Sequence, residues 1–109
     1  MADWPHFRGP GRNGVSTESA PARLPAGGPR KLWEVKIGEG YATVAVAAGR
    51  AYATGNFNGQ DYVTCVDVAS GKVRWQHRYP CGAGDYGGPR ATPAVAGGRV
   101  VAMSREGQA

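Results

Sequence analysis

Long apolar runs are absent from this 109-residue chain, and metal-binding side chains are scarce, with two histidines and two cysteines. No window reaches the roughly 18 consecutive apolar residues that a membrane-spanning helix requires, so no such helix is predicted. His6 and His77 stand alone in the sequence, and a metal site with several ligands is therefore not expected. Glycine and proline, at 18 and 8 residues, follow no three-residue period, which excludes a collagen-like rod.

Lysine is also rare, and the positive charge comes mainly from arginine. Ten arginines and three lysines oppose eight acidic residues, giving a net charge of +5. These basic side chains form no run, and aromatic residues do not interleave with them as on a nucleic-acid platform. The composition predicts a solvated basic surface and no nucleic-acid partner.

The N-terminus lacks the pattern of a secretory signal, because residues 1–5 have neither a basic start nor an apolar core. The protein either stays inside the cell or begins here after a removed signal. Five prolines with glycines between them exclude a helix or an interior strand over residues 1–31. We expect an extended Pro/Gly-rich arm there, with Trp4 and Phe7 as anchors on the body that follows.

Short strands are the regular elements that the rest of the chain predicts. Residues 32–109 contain alternating and short apolar runs, and no amphipathic helix of ten residues. A five-residue loop is expected at 55–59. The class is all-β, and the predicted strands are 32–37, 42–47, 50–54, 61–67, 72–79, 92–96 and 99–104.

Two cysteines, Cys65 and Cys81, are expected to lie too far apart for a disulfide. A tight turn from Asp67 to Lys72 places Cys65 opposite Arg74, and Cys81 follows seven residues later. At about 3.3 Å per residue that distance is roughly 23 Å. A disulfide requires Cα atoms within about 7 Å, so only a sharp fold-back after Cys81 would close the gap.

Two segments of the chain recur. Trp33 and Trp75 stand in similar settings 42 residues apart, and residues 45–50 recur 49 residues later at 94–99. The seven extra residues fall within the loop after Tyr79. A unit of four short strands in about 40–45 residues is the size of a propeller blade.

The segment Cys65–Trp75 resembles the tryptophan-docking motif of the PQQ-like (pyrroloquinoline-quinone-type) β-propeller repeat, small-x-Asp-x-x-Thr/Ser-Gly-Lys-x-x-Trp. Asp67, Ser70, Gly71 and Trp75 match it, and Cys65 stands where alanine is usual. Physically, the aspartate caps the turn and the glycine supplies a positive φ. The tryptophan of the motif can lie flat between adjacent blades, and Trp33 repeats that tryptophan one unit earlier.

The resemblance implies blades of four antiparallel strands. Strand 32–37 would complete the last blade, residues 42–79 would form one complete blade, and residues 92–109 a partial one. A ring needs at least four blades, so the isolated chain is not expected to close as a stable monomer. Residues 3–10 resemble the entry segment of bacterial propellers of this type, which are usually secreted.

For function, the resemblance implies a non-catalytic binding scaffold of the cell envelope, as in propeller lipoproteins of outer-membrane protein assembly. Its partner would be a protein or further blades of a longer chain, and a cytoplasmic location stays open. No cofactor is expected on these residues. The alternative is part of a quinoprotein alcohol dehydrogenase that binds pyrroloquinoline quinone and calcium, a family whose vicinal cysteine pair is absent here. A sensor domain joined to a kinase or other module is a third, weaker interpretation.

The connector 81–90 contains the candidate binding residues. It joins two predicted blades on the face where propellers bind ligands, and loops on rigid scaffolds often carry function. Asp85, Tyr86 and Arg90 are candidates for contacting a polar ligand or a protein partner. The alternative is that this segment is simply a long connector.

No catalytic residue is predicted. The glycines at 9, 11 and 14 match the spacing of a dinucleotide-binding loop, but Pro10 and the lack of a flanking strand and helix exclude one. Ser70, His77 and Asp67 contain the residue types of a nucleophilic triad. The turn already accounts for Ser70 and Asp67, so a structural role is preferred.

Overall fold

The protein is described by a computed structural model that covers residues 3–19, 23, 26, 28, 30–81, 88, 89 and 91–103. Over these residues the regular structure is six strands and no helix, which confirms the all-β class. The strands are β1 (Ala45–Ala47), β2 (Arg50–Phe57), β3 (Gln60–Asp67), β4 (Val73–Pro80), β5 (Ala94–Ala96) and β6 (Arg99–Val101). Within the described part of the chain, no helix is long and apolar enough to cross a membrane.

The strands form two antiparallel sheets. β1 to β4 make a four-stranded sheet in chain order, and β5 and β6 make a separate hairpin. β2 and β3 are the central strands of the larger sheet and contain most of the buried residues, whereas β4 is a largely exposed edge. The core of the molecule therefore lies along β2 and β3.

One kind of turn closes three of the hairpins. Ala48-Gly49, Asn58-Gly59 and Gly97-Gly98 each have positive φ at both residues, between 52° and 76°. Two-residue turns of this kind match the right-handed twist of the strands that they join. The prediction of a five-residue loop at 55–59 is wrong, because residues 55–57 continue β2 and pair with residues 60–62.

Backbone hydrogen bonds close the turn between β3 and β4. The Asp67 amide donates to the Lys72 carbonyl at 2.9 Å, and the Gly71 amide donates to the Asp67 carbonyl at 2.8 Å. A bulge follows, so that Cys65 pairs with Trp75 and Val66 with Val73. Cys65 is thus opposite Trp75, one residue beyond the predicted Arg74.

The larger sheet has two faces, which alternate along each strand. We call the face that carries Trp75, His77 and Tyr79 the Trp75 face, and the opposite face the Tyr62 face. The β5–β6 hairpin lies beside the Trp75 face, where Val100 helps to line a cavity with β4. On the Tyr62 face, residues 35–38 line a second cavity with Tyr62. The larger sheet therefore lies between the hairpin and the segment that precedes β1.

The strand predicted over 32–37 is not formed. Residues 32–38 are outside every named strand, and the backbone of Ile37 packs directly on Gly55 at the Tyr62 face. Glu39 and Asn56 then exchange two backbone hydrogen bonds of 2.9 and 2.7 Å as an isolated bridge. Alternation alone predicts a strand, but a strand needs a neighbour that pairs along its length, and none of the described residues pairs with 32–37 in that way.

The first described residues fold onto both sheets. Trp4 and Val46 exchange backbone hydrogen bonds of 2.6 and 2.7 Å, and the Val95 amide donates to the Pro5 carbonyl at 2.8 Å. The Trp4 ring packs on Gly9, whereas Phe7 is 62% exposed. Trp4 thus contacts the body as expected, and the expected anchoring role of Phe7 is wrong.

Residues 6–14 form successive turns, in contrast to the extended course expected for the arm. The Gly9 amide donates to the His6 carbonyl at 3.0 Å, and the Gly14 amide donates to the Arg8 carbonyl at 2.8 Å. Arg8 and Arg12 have positive φ, as do the glycines at 9 and 14. The glycines allow the chain to reverse direction here, which the proline content alone does not predict.

The cysteines are far apart along the sheet, as the spacing predicts. Cys65 is buried on β3 between Tyr52 and Trp75. Cys81 follows β4, and its amide donates to the Gly59 carbonyl at 3.0 Å, at the opposite end of the strands. No disulfide joins these two described residues.

Candidate functional site

The three predicted binding residues, Asp85, Tyr86 and Arg90, lie outside the described residues. The described flanks of their connector are held at one end of the larger sheet. The Cys81 amide donates a hydrogen bond to the Gly59 carbonyl in the β2–β3 turn. The carbonyl of the buried Pro89 accepts a hydrogen bond of 2.8 Å from the Tyr41 amide. The connector therefore begins and ends close to the Asn58-Gly59 turn and the segment before β1.

Trp33 docks on the β3–β4 turn. Its indole Nε1 donates to the Val68 carbonyl at 2.8 Å, and the indole is partly buried. A Cβ at Gly71 would lie 2.5 Å from Cγ of Trp33, so the ring occupies the space that a side chain would take. The turn thus provides a hydrogen-bond acceptor and a flat glycine surface for a tryptophan that is distant in sequence.

The side chains of Asp67 and Ser70 stabilise the same turn. Asp67 Oδ1 accepts a hydrogen bond of 3.0 Å from the Ala69 amide, and Ser70 Oγ accepts one of 3.2 Å from the Lys72 amide. His77 lies on β4, opposite Val63, and its ring centroid is 6.2 Å from that of Tyr79. The turn and the sheet therefore account for the contacts of Asp67 and Ser70, and no nucleophile–base pair is formed among these described side chains.

Trp75 has a different environment from Trp33. Its ring packs against Tyr52 at a centroid distance of 6.0 Å, but 39% of the residue is exposed. A cavity of about 310 Å³ lies next to it on the Trp75 face, lined by Val63, Trp75, His77, Tyr79, Val100 and Ala102. Three alternate side chains of β4 therefore form one aromatic wall of this cavity.

A buried polar cluster lies at the end of the Trp75 face, next to the flanks of the connector. Asp61 is 1% exposed and Asn56 is 5% exposed. Asn56 Nδ2 donates to Asp61 Oδ1 at 2.9 Å and to the Cys81 carbonyl at 2.8 Å. Among the described residues, three further buried oxygen atoms make no hydrogen bond of ordinary length and angle, namely Asp61 Oδ2, Thr54 Oγ1 and Tyr79 Oη. The Tyr79 hydroxyl is nevertheless near enough to Asp61 for a hydrogen bond between them to contribute to the raised pKa of Tyr79.

Tyr79 is protonated over the physiological range. Burial, together with the nearby carboxylate of Asp61, raises the pKa of Tyr79 to about 12. The hydroxyl therefore keeps its proton, because both a low-dielectric surrounding and a neighbouring negative charge disfavour the phenolate.

No group of three or more metal-binding side chains is found in the described part of the chain.

Sequence reasoning misses this cluster, because it places Asn56 in a loop and makes Asp61 the polar first residue of a strand. The signal that finds the cluster is the Asn58-Gly59 pair, which is typical of a two-residue hairpin turn. With that turn, Asn56 and Asp61 become directly opposite residues on one face.

A second cavity, of about 680 Å³, lies on the Tyr62 face. It is lined by Val35, Lys36, Ile37, Gly38, Phe57, Tyr62 and Gln76. Phe57 is 60% exposed beside it. This gap separates the segment before β1 from the outer part of the sheet, and it is mainly apolar.

Comparison of the chain with protein-family models, with curated proteins and with solved structures finds no match.

Proposed function

We propose that this chain is part of a β-propeller of the PQQ-like repeat type and acts as a non-catalytic binding scaffold in the bacterial cell envelope. The observation that carries the proposal is the docking of Trp33 on the turn that contains Gly71. The motif at Cys65–Trp75 implies such a contact between neighbouring blades. Its partners here are 35 residues or more apart in sequence, so the contact is a long-range one.

The repeated hairpin supports the proposal. The recurring sequences at 45–50 and 94–99 both adopt a three-residue strand, a two-residue turn and a return strand that starts with arginine. Ala47 pairs with Arg50, and Ala96 pairs with Arg99. Similar sequences thus form similar units, as expected of consecutive blades of which the second begins at β5.

The scaffold role draws support from the way the turn uses its polar groups. Asp67 and Ser70 both accept hydrogen bonds from turn amides. The proposed location in the envelope depends on the resemblance of residues 3–10 to the entry segments of secreted propellers. Partner binding is assigned to the connector 81–90, whose flanks Cys81 and Pro89 are anchored to backbone groups of the sheet and of the segment before it.

Titration with pyrroloquinoline quinone and calcium separates this proposal from the dehydrogenase alternative. The scaffold is expected to give no saturable change in the quinone absorbance and no dye-linked alcohol oxidation. Saturable quinone binding together with alcohol oxidation would overturn the scaffold proposal and support the quinoprotein.

Capture of a partner from envelope extracts tests the assigned surface. The Asp85→Ala and Arg90→Ala variants are expected to lose a partner that the unchanged protein retains. Arg78→Ala is the matched control, because Arg78 is an exposed arginine on β4. Equal capture by all four proteins would remove the connector from the proposed surface.

A further inference from the structure

We propose that a cavity between the two hairpins binds a small zwitterion of the α-amino-acid class, with its carboxylate on Arg50 and its ammonium group on Asp3. The cavity has a volume of about 530 Å³ and is bordered by Ala48 of the first hairpin and by the Gly97-Gly98 turn of the second. The site uses neither the connector 81–90 nor a propeller ring, so a negative result here would not affect the function proposed above.

Two charges of opposite sign border this cavity without pairing. Asp3 and Arg50 are the two charged residues on its wall. They form no ion pair with each other, and no other described residue forms an ion pair with either of them. Hydrogen bonds to a ligand group of opposite charge are about twice as strong as hydrogen bonds between neutral groups. The wall therefore offers one place for an anionic group and one for a cationic group.

The Asp3 carboxylate is held at the first hairpin. Its Oδ1 accepts a hydrogen bond of 3.2 Å from the Ala48 amide. The next residue, Trp4, exchanges two backbone hydrogen bonds with Val46, which fixes the segment on β1. Since a carboxylate can accept several hydrogen bonds at once, one bond to a neutral amide leaves capacity for the N–H groups of a ligand.

Arg50 is half-buried at the start of β2. It is the cross-strand neighbour of Asp67, but its guanidinium forms no ion pair with that carboxylate. The guanidinium lies beside the Tyr52 hydroxyl, because its positive charge and a hydrogen bond oppose the rise that burial causes in the pKa of Tyr52. A guanidinium has five N–H donors, so a contact with one hydroxyl leaves donors for a carboxylate.

Apolar side chains complete the wall. Pro5, Val95 and Val100 border the cavity, and its volume falls within the range of ligand pockets, about 300–1,000 Å³. An anion without a positive charge would be repelled by Asp3, and a cation without a negative charge by Arg50. A neutral ligand would take both charges out of water and leave them uncompensated. The chemistry therefore selects a zwitterion with an apolar side chain.

Leucine is the probe, because it has both charges and an apolar side chain. Leucine methyl ester lacks the carboxylate charge, and N-acetylleucine lacks the ammonium group. Titrations at about pH 6 keep the amino group of the ester protonated. The dipeptide leucylleucine has the same two charges farther apart. Tighter binding of leucine assigns the site to free amino acids, and tighter binding of the dipeptide assigns it to short peptides.

Binding is followed by ¹⁵N–¹H NMR spectra of the full chain. The Gly97 and Gly98 amides report on the cavity that they border, and the Gly59 amide, at the opposite end of the larger sheet, is the reference. We expect leucine to cause saturable shifts at Gly97 and Gly98 in the millimolar range. The ester and N-acetylleucine are each expected to bind at least about tenfold more weakly, because each loses one charged contact.

Substitutions test the two charges. Arg50→Gln removes the positive charge and is expected to weaken leucine binding about tenfold or more. Asp3→Asn keeps the oxygen that accepts from the Ala48 amide, removes the negative charge, and is expected to weaken binding about tenfold. Arg99→Gln is the matched control, because Arg99 has the corresponding place in the second hairpin and does not border the cavity. This control should leave binding unchanged.

The proposal is overturned if leucine gives no saturable shift at Gly97 and Gly98, or if the shift at Gly59 is as large. Equal affinity for leucine, its methyl ester and N-acetylleucine also overturns it, as does leucine binding that Arg50→Gln and Asp3→Asn leave unchanged. If either variant does not give the dispersed spectrum of a folded protein, the comparison of the three ligands with the unchanged protein decides the question.

Discussion

Gly71 shows how a single missing side chain determines a long-range contact. Its φ is 76°, and the indole of Trp33 lies where its Cβ would be. Gly49 has the same φ of 76°, but no atom lies within 4 Å of the position that a Cβ would take there. Both glycines therefore adopt a positive φ, but only Gly71 also has an aromatic ring packed against it.

Alanine at these two glycines gives the first prediction. Gly49→Ala adds only the cost of a left-handed backbone, about 1 kcal/mol. Gly71→Ala adds the same strain and displaces Trp33, so we expect a loss of about 2–4 kcal/mol in the free energy of unfolding. Denaturant titration of both variants checks this difference. Equal losses would show that the Trp33–Gly71 contact contributes nothing to stability.

A second prediction at the residue scale concerns alkaline pH. The pKa of Tyr79 is raised to about 12 in the folded protein, chiefly by burial and then by Asp61, from an ordinary value of 10.0. Between pH 10 and 12 the unfolded chain loses this proton while the folded protein keeps it, so stability must fall as pH rises. Burial raises the pKa of Tyr52 in the same direction.

Tyr79→Phe should therefore reduce the decline in unfolding free energy between pH 10 and 12 without abolishing it. The control is Tyr41→Phe, because Tyr41 is 64% exposed. Chemical denaturation at several pH values gives the two slopes. A slope for Tyr79→Phe as steep as that of the control would contradict the proposed burial of the phenol.

At the scale of the elements, hairpin turns determine the register of the sheet. Three turns have positive φ at both positions. Ala48, at φ 52°, is the one residue at the first position of these turns that has a Cβ but no polar side chain. The other two turns use Asn58 and Gly97, which tolerate this conformation better. The first hairpin of the larger sheet thus contains avoidable strain.

We therefore predict that Ala48→Asn stabilises the protein by roughly 0.5–1 kcal/mol. The backbone amide, which donates to Asp3 Oδ1 at 3.2 Å, is kept by the substitution. Ala47→Asn, on the adjoining strand position, is the control and should destabilise or be neutral. Thermal unfolding of the two variants measures the effect, and a lower melting temperature for Ala48→Asn would refute it.

Local chemistry explains which elements the sequence can predict. The β3–β4 turn is predictable because Asp67, Ser70 and Gly71 each satisfy a requirement within six residues. The absence of a strand over 32–37 could not be predicted from the sequence, because a strand forms only where a neighbouring strand is available to pair with it. The burial of Asp61 is equally hidden, since a polar residue beside a turn normally faces water, and only the register with Asn56 and Tyr79 places it inside.

At the scale of the whole molecule, the residues that begin the described chain connect its two sheets. Trp4 pairs with Val46 of β1, and Pro5 accepts a hydrogen bond from Val95 of β5. Asp3 adds a bond to the turn after β1. The same short segment therefore covers the edge of the larger sheet and fixes the β5–β6 hairpin beside it.

Deletion of residues 1–5 should loosen the hairpin more than the larger sheet. We expect amide hydrogen exchange at β5 and β6 to accelerate at least about tenfold, with β2 and β3 changing little, because their pairing is independent of the segment. Phe7→Ala, which alters an exposed side chain nearby, is the control. Uniform acceleration across both sheets would instead indicate global destabilisation.

The bond between Pro5 and Val95 also orders events during synthesis. These residues are 90 positions apart, so the ribosome must synthesise the chain as far as Val95 before Pro5 can find this partner. Folding that depends on such distant pairs is slow, because the entropy of closing the intervening loop is lost before the contact forms. The Pro5 segment therefore reaches its final position late, and until then the β5–β6 hairpin is not fixed beside the larger sheet.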